Sequence, residues 1–165
     1  MAAADKVRSR ADVAAATASA RRAGATIVFT CGVFDLLHVG HVRYLEFAKN
    51  LGTMLVVGIN SDASVRTLNK GAHRPIVGER ERAELVAALT AVDHVFLFDE
   101  TRPNESIRLI RPHIHVKDAA YERAERPEAC AVREVGGTII FAPHNEGRTT
   151  SALLERIAAR EAGGS

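Results

Sequence analysis

The chain has 165 residues, a length that fits a single domain able to bury a core without disulfide bonds. Its formal net charge is only +2, and lysines and arginines are scattered among acidic residues, which argues against a nucleic-acid-binding protein. The two cysteines lack metal-ligand spacing, no stretch has the ~20 apolar residues that cross a bilayer, and we therefore expect a cytoplasmic protein without membrane or nucleic-acid partners.

Apolar and amphipathic segments alternate along the chain. The first amphipathic segment predicts an alanine-rich helix over residues 9–23, within an N-terminal helical extension of residues 1–24. Five strands are predicted from short, continuously apolar runs at residues 25–30, 53–59, 93–98, 113–117 and 138–142. Further helices are predicted from helical spacing and end signals at residues 41–51, 62–68, 79–92, 104–110, 127–135 and 149–162.

This alternation predicts the fold class. Continuously apolar strands joined by helices indicate a parallel sheet that is covered on both faces. We therefore expect one α/β Rossmann-like domain over residues 25–160, with a five-stranded parallel sheet and helices on both faces. Ligands of such sheets bind beyond the carboxyl ends of the strands. The stretches that follow the predicted strands are polar or glycine-containing, at residues 31–41, 60–62, 99–102, 117–121 and 143–150.

The segment after the first strand carries the clearest chemical pattern. His38 and His41 flank Gly40 where a helix opens. A helix N-terminus attracts phosphate, the glycine lets the backbone come close, and both imidazoles can donate to phosphate oxygens. The pattern is neither a P-loop nor a zinc-protease motif. For an isolated pattern, surface or capping histidines would be the favoured explanation, but its position after a buried strand favours a phosphate site.

Two further segments are typical of phosphate binding. Residues 69–76, NKGAHRPI, gather cations at a turn that leads to Arg82, although a solvated basic loop is the alternative. Residues 146–151, EGRTTS, stand at the start of the last helix, where hydroxyls and backbone N–H groups suit phosphate. Capping of that helix by Thr149 or Thr150 is compatible with the same role.

With these motifs the sequence resembles the HxGH-containing nucleotidyltransferase superfamily, which is cytidylyltransferase-like. Within it, the sequence is most similar to the bacterial D-glycero-β-D-manno-heptose 1-phosphate adenylyltransferases and more distantly to glycerol-3-phosphate cytidylyltransferase. The similarity runs from about residue 27 to residue 157. Its carriers are GVFDLLHVGHVRYLEFAKNLG at 32–52, VGINSDASVRTL at 57–68, KGAHRPI at 70–76, ERAELVAAL and VDHV within 81–95, and EGRTTSALLERI at 146–157.

The resemblance implies a role for residues of each motif. Catalytic roles, in contact with the triphosphate or the sugar phosphate, would belong to His38, His41, Lys70 and Arg82. The acceptor would be bound by Asp35, Asn60, Lys70 and Arg74, although capping or bonding of its own loop is slightly favoured for Asp35. The nucleotide would be bound by Cys31, Gly32, Val33, Phe34, Gly40, His41, Lys117, Asp118, Tyr121, Gly147, Arg148, Thr149 and Thr150. Mg²⁺ is expected to bridge the phosphates without a side-chain ligand.

The resemblance implies transfer of the adenylyl group of ATP to a sugar 1-phosphate, with D-glycero-D-manno-heptose 1-phosphate as the leading acceptor. Direct in-line attack would release pyrophosphate. The alternative within the class is a cytidylyltransferase that acts on glycerol 3-phosphate or a similar polyol phosphate. The alternative from another class is a catalytically silent regulator that binds nucleotides.

Two positions depart from the pattern that the resemblance implies. The heptose branch usually reads KGGDY after its fourth strand, whereas this chain reads KDAAY at 117–121. Ala120 thus replaces an acid beside the base pocket, and Asp118 is the candidate substitute. Which nucleotide base the protein binds is therefore left open. Cys31 stands where asparagine is common, and we expect a packed thiol. The apolar face of residues 83–95 is either core or the interface of a homodimer.

Overall fold

A computed structural model describes residues 2–68, 74–121, 127–143 and 150–162. The described strands are β1 (Ile27–Gly32), β2 (Met54–Asn60), β3 (His94–Phe98), β4 (Ile114–Asp118) and β5 (Thr138–Ala142). They form one sheet in the order β3-β2-β1-β4-β5, and every pairing is parallel. The predicted five-stranded parallel sheet is confirmed. The strand order reverses beside β1, which places a ligand crevice at the carboxyl end of this central strand.

Eight α-helices are described, together with a short 3₁₀ helix at Ala119–Tyr121. The α-helices are α1 (Ala3–Lys6), α2 (Arg10–Arg22), α3 (Val39–Asn50), α4 (Asp62–Thr67), α5 (Glu79–Ala87), α6 (Asn104–Ile110), α7 (Ala129–Glu134) and α8 (Thr150–Ala162). Among the described residues, no helix is long and apolar enough to cross a membrane. The helix predicted over residues 79–92 ends at Ala87, and residues 88–92 continue as turns.

The core lies in two layers, one on each face of the sheet. On one face, Leu45 of α3 and Val86 of α5 pack with Val28 of β1. On the other face, Phe29 of β1 packs with Ile107 of α6 and with residues of α2 and α7. Successive residues of a strand point to opposite faces, so a continuously apolar strand supplies both layers. Helices therefore cover both faces, as predicted.

The apolar face of residues 83–95 belongs to this core. Ala83, Val86, Ala87 and Val95 are fully buried within the chain. Of the two alternatives that the sequence left open, the structure supports core rather than an exposed homodimer interface for this face.

The N-terminal extension packs against the rest of the chain. Val7 forms a parallel bridge with Val95 of β3, and Val13 of α2 is fully buried in the core. The Lys6 ammonium donates to the carbonyl oxygens of Leu89 at 3.3 Å and Val92 at 2.8 Å. Short helix α1 was not predicted, because four residues are too few for an amphipathic pattern to appear.

Candidate functional site

A cavity of about 720 Å³ lies beyond the carboxyl ends of the strands, within the usual size range of small-molecule sites. Residues from separate predicted motifs meet at its wall. Those that belong to the predicted site are Cys31, Gly32, Val33, Phe34, Asp35, His38, Gly40, His41, Asn60, Arg74, Lys117, Asp118 and Thr150. Lys70, Gly147, Arg148, Thr149 and the side chain of Tyr121 lie outside the described residues.

Asp35 holds three segments of this wall together. Its buried carboxylate accepts hydrogen bonds from Arg74 Nε at 2.5 Å and from the backbone N–H groups of Ile76 and Val77, each at 3.0 Å. Its carbonyl oxygen accepts from Thr150 Oγ1 at 2.7 Å. The side chain is 0% exposed, so of the two roles that the sequence left open for Asp35 the structure supports bonding within its own chain.

These bonds also keep the Asp35 carboxylate charged. Burial alone would raise the pKa of Asp35, but the N–H groups of Val77 and Ile76 and the Arg74 guanidinium outweigh it, and the pKa is lowered. Arg74 is thus anchored at the cavity wall through Nε. An anchored guanidinium is a suitable donor for a phosphate, since it loses less side-chain freedom on binding.

His38 and His41 stand where α3 opens, with ring centroids 3.8 Å apart and the rings stacked. The His38 Nδ1 atom accepts from the backbone N–H of Gly40 at 3.1 Å. The His41 Nδ1 atom accepts from the backbone N–H of His38 at 3.4 Å. A neutral imidazole that accepts at Nδ1 carries its proton at Nε2. Both rings are therefore held as Nε2–H donors at the cavity.

Burial keeps this pair neutral near pH 7. Burial lowers the pKa of His38, and burial with the charges of His38 and Arg74 lowers the pKa of His41 to about 4. The Nε2 atom of His38 is buried and has no hydrogen-bond partner among the described residues. An unpaired buried donor is costly, and a ligand atom that reached it would remove this cost. The predicted role of the histidines thus has a geometric basis.

Arg82 occupies a different position from the one predicted. Its side chain is 0% exposed, and it lies beneath the cavity wall. Its guanidinium donates to Val77 O at 2.9 Å, Val33 O at 2.5 Å, Asn60 O at 2.8 Å and Asp62 Oδ1 at 2.7 Å. The structure corrects the prediction that Arg82 contacts substrate, because its donors are already used by three loops around the site.

Lys117, a cavity residue near the carboxyl end of β4, forms an ion pair that sequence reasoning missed. The Lys117 ammonium lies 2.8 Å from Glu128 Oε1, and Glu128 is only 4% exposed. Burial would raise the pKa of Glu128, but the hydrogen bond and charge of Lys117 outweigh it, and the pKa is lowered. Beside this pair, Asp118 Oδ1 accepts from the backbone N–H of Ala120 at 2.8 Å. No motif marked Glu128, since its importance comes from tertiary contact with Lys117.

Tyr44 lines the cavity and was also missed. Its hydroxyl lies 2.6 Å from Thr30 Oγ1 and donates to Val116 O at 2.9 Å. A signal was available, because Tyr44 follows His41 by three residues and so shares its face of α3. Cys31, in contrast, is as expected: burial raises the pKa of its thiol to about 12, which keeps it protonated.

Metal binding by side chains alone has no basis in the described part of the chain. Among the described residues, no three His, Cys, Asp or Glu side chains are grouped so that they could hold a metal ion. His94, His113 and His115 lie apart from the cavity wall, and His73 and His144 lie outside the described residues.

A parallel α/β sheet with paired neutral imidazoles at a helix N-terminus, beside a cavity at the strand reversal, is an arrangement that suits the binding of a nucleotide phosphate. A family model described as cytidylyltransferase-like matches residues 29–150. The chain therefore belongs to the cytidylyltransferase-like family.

Curated relatives fall into two groups by length. The bifunctional protein HldE of Syntrophotalea carbinolica is 45% identical over 152 residues, which cover 92% of this chain and 31% of that protein. The chain thus spans about a third of the length of such relatives. The D-beta-D-heptose 1-phosphate adenylyltransferase of Bordetella bronchiseptica is 46% identical over 152 residues, covering 92% of this chain and 93% of that protein.

Solved structures agree on the fold. The lipopolysaccharide core biosynthesis protein from Thermoplasma volcanium has a TM-score of 0.61 at 28% identity, covering 73% of this chain and 97% of that one. Pantothenate synthetase from Thermus thermophilus has a TM-score of 0.55 at 13% identity, covering 88% of this chain and 66% of that one. The second likeness concerns the fold alone.

Proposed function

We propose that this protein transfers the adenylyl group of ATP to a sugar 1-phosphate, D-glycero-D-manno-heptose 1-phosphate being the leading acceptor. The observation that carries the reaction class is the pair of Nε2–H donors at the opening of α3, inside the cavity. The adenylyltransferase from Bordetella bronchiseptica, which matches over nearly its whole length, supports the choice of acceptor. The reaction would yield an ADP-sugar and pyrophosphate, and we place it in the cytoplasm.

The proposed chemistry is one in-line displacement. An oxygen of the acceptor phosphate attacks the α-phosphorus of ATP and forms the new P–O bond. The bond from the α-phosphorus to the bridging oxygen breaks, and its electron pair leaves with pyrophosphate. No covalent enzyme intermediate is needed, because positioning and charge stabilisation supply the catalysis. His38 and His41 would donate from Nε2 to the phosphate oxygens as charge develops there.

The remaining roles follow from where the side chains lie. Arg74, anchored by Asp35, would bind the acceptor phosphate together with Lys70. Thr150 at the start of α8 donates to the β1–α3 loop through the carbonyl oxygen of Asp35. Arg148 and Thr149, which precede Thr150 in the sequence, would bind the triphosphate.

Mg²⁺ fits this site as a partner of the phosphates. The two aspartates at the cavity wall, Asp35 and Asp118, both accept hydrogen bonds from the protein. We therefore propose that phosphate oxygens and water bind the ion, which would neutralise charge on the triphosphate. This is the metal role expected from the sequence.

One observation favours a second candidate. Ala120 lines the cavity at the position where the resemblance to the heptose branch implies an acid beside the base. A cytidylyltransferase that acts on a polyol phosphate is therefore the alternative. Asp118, two residues earlier, bonds to the backbone of Ala120 and keeps a carboxylate in this part of the wall.

A pyrophosphate-release assay tests both candidates. ATP, CTP, GTP and UTP are each crossed with heptose 1-phosphate, other sugar 1-phosphates and glycerol 3-phosphate, with Mg²⁺ present. The matched control is the His38→Ala/His41→Ala double variant, so that contaminating pyrophosphatase or transferase activity is subtracted. Release that requires ATP and heptose 1-phosphate supports the proposal. A strong preference for CTP supports the alternative, and tight nucleotide binding without release with any pair indicates a silent regulator.

A further inference from the structure

Arg10, the first residue of α2, reaches from the N-terminal extension to the loop between β3 and α6. Its Nη1 atom donates to Glu100 Oε1 and, at 3.3 Å, to Ser106 Oγ. Its Nη2 atom lies 3.7 Å from Glu105 Oε2. One guanidinium thus contacts both the loop and the first turns of the helix that follows. Charge-assisted bonds of this kind are stronger than neutral ones.

The backbone carbonyl of Glu100 is linked through Ser64 to a residue of the cavity wall. Its carbonyl oxygen accepts from Ser64 Oγ at 3.1 Å, and Ser64 Oγ accepts from Asn60 Nδ2 at 3.0 Å. Asn60 lines the cavity at the carboxyl end of β2. A continuous chain of hydrogen bonds therefore runs from Arg10 through Glu100 and Ser64 to a residue of the site.

The loop that Arg10 holds forms one side of the cavity. Thr101 and Pro103, which follow Glu100, both line it. The sheet order β3-β2-β1-β4-β5 places this loop on the β3 side of the histidines. Lys117, Asp118 and Ala120 lie on the β4 side, where the base is expected. The β3 side of the cavity is therefore left for the acceptor, the phosphorylated sugar or polyol.

We propose that Arg10 is a positioning residue for the acceptor. By holding Glu100, it fixes the loop of Thr101 and Pro103 and the amide of Asn60 against the acceptor, while the nucleotide side of the cavity does not depend on it. This inference rests on the proposed function, since it needs an acceptor. It gives the N-terminal extension a part in substrate selection.

Steady-state kinetics of Arg10→Ala test the inference, with whichever nucleotide and acceptor the wild-type protein turns over fastest. We expect the KM for the acceptor to rise about tenfold, the loss that one charge-assisted hydrogen bond represents. The KM for the nucleotide should stay within about twofold, and Arg10→Lys should recover part of the loss because it keeps the charge. Arg108→Ala is the matched control, since it removes an exposed ion pair with Glu134 from α6.

Thermal unfolding accompanies the kinetics and establishes that each variant is folded at the assay temperature. An unchanged acceptor KM in Arg10→Ala, an equal rise for both substrates, or the same rise in Arg108→Ala would overturn the inference. In those cases the wild-type protein is active, so the inference about Arg10 fails while the nucleotidyl-transfer activity stands. If the wild-type protein turns over no pair, the proposed function fails and the inference fails with it.

Discussion

Replacement of Arg82 by alanine should lower the free energy of unfolding of the protein, and not merely weaken substrate binding. The side chain is 0% exposed and its donors serve three backbone carbonyls, those of Val33, Asn60 and Val77, as well as the Asp62 carboxylate. The Asp62 side chain is 27% exposed and can be solvated by water, so the three carbonyls carry most of the cost. A buried acceptor that loses its donor costs about 1–3 kcal/mol, so the three together should cost about 3–5 kcal/mol. For a domain of this size, that loss lowers Tm by about 6–20 °C.

Urea unfolding followed by far-UV circular dichroism measures the loss, since the sequence contains no tryptophan. Arg80→Ala is the matched control, because Arg80 is an exposed arginine of the same helix, and it should stay within about 0.5 kcal/mol of wild type. Arg82→Ala with the stability of Arg80→Ala but without activity would refute the reasoning. Arg82 would then act on the substrate, as the sequence alone had suggested.

Three further predictions concern the histidines and the metal. His38→Ala and His41→Ala should each lower kcat by about 10²–10³ with the fold retained, and near-wild-type turnover in both would contradict a catalytic role. Burial lowers the pKa of His115 to about 4, so the unfolded chain binds more protons between pH 6.5 and 4 and stability should fall as the pH falls through that window. His115→Phe should flatten the pH dependence of the urea midpoint there, and an unchanged slope would show that other groups cause it. EDTA should abolish pyrophosphate release and added Mg²⁺ restore it, whereas full activity in EDTA would exclude the proposed metal.

Local patterns were sufficient to predict the layers of this protein. The strand at 138–142 and the helix at 104–110 were predicted with the observed bounds, because their patterns of apolar residues and their end signals lie within each segment itself. The helix at 79–92 was predicted too long. Its apolar spacing continues through Leu89 and Val92, but those residues reach the core from turns. Periodicity records which residues are buried and does not record which backbone conformation buries them.

The sequence by itself determined the α/β fold, the phosphate-binding opening of α3 and the family resemblance, since each depends on residue types at close spacing along the chain. Only the tertiary structure decided how the charged residues are used. Arg82 looked like a ligand of a substrate, yet it binds loops of its own chain, and for Asp35 the structure supports the loop role that the sequence had left open. Glu128 and Arg10 carried no motif. A charge binds whichever partner the fold brings within about 3 Å, and that neighbour comes from a distant part of the sequence.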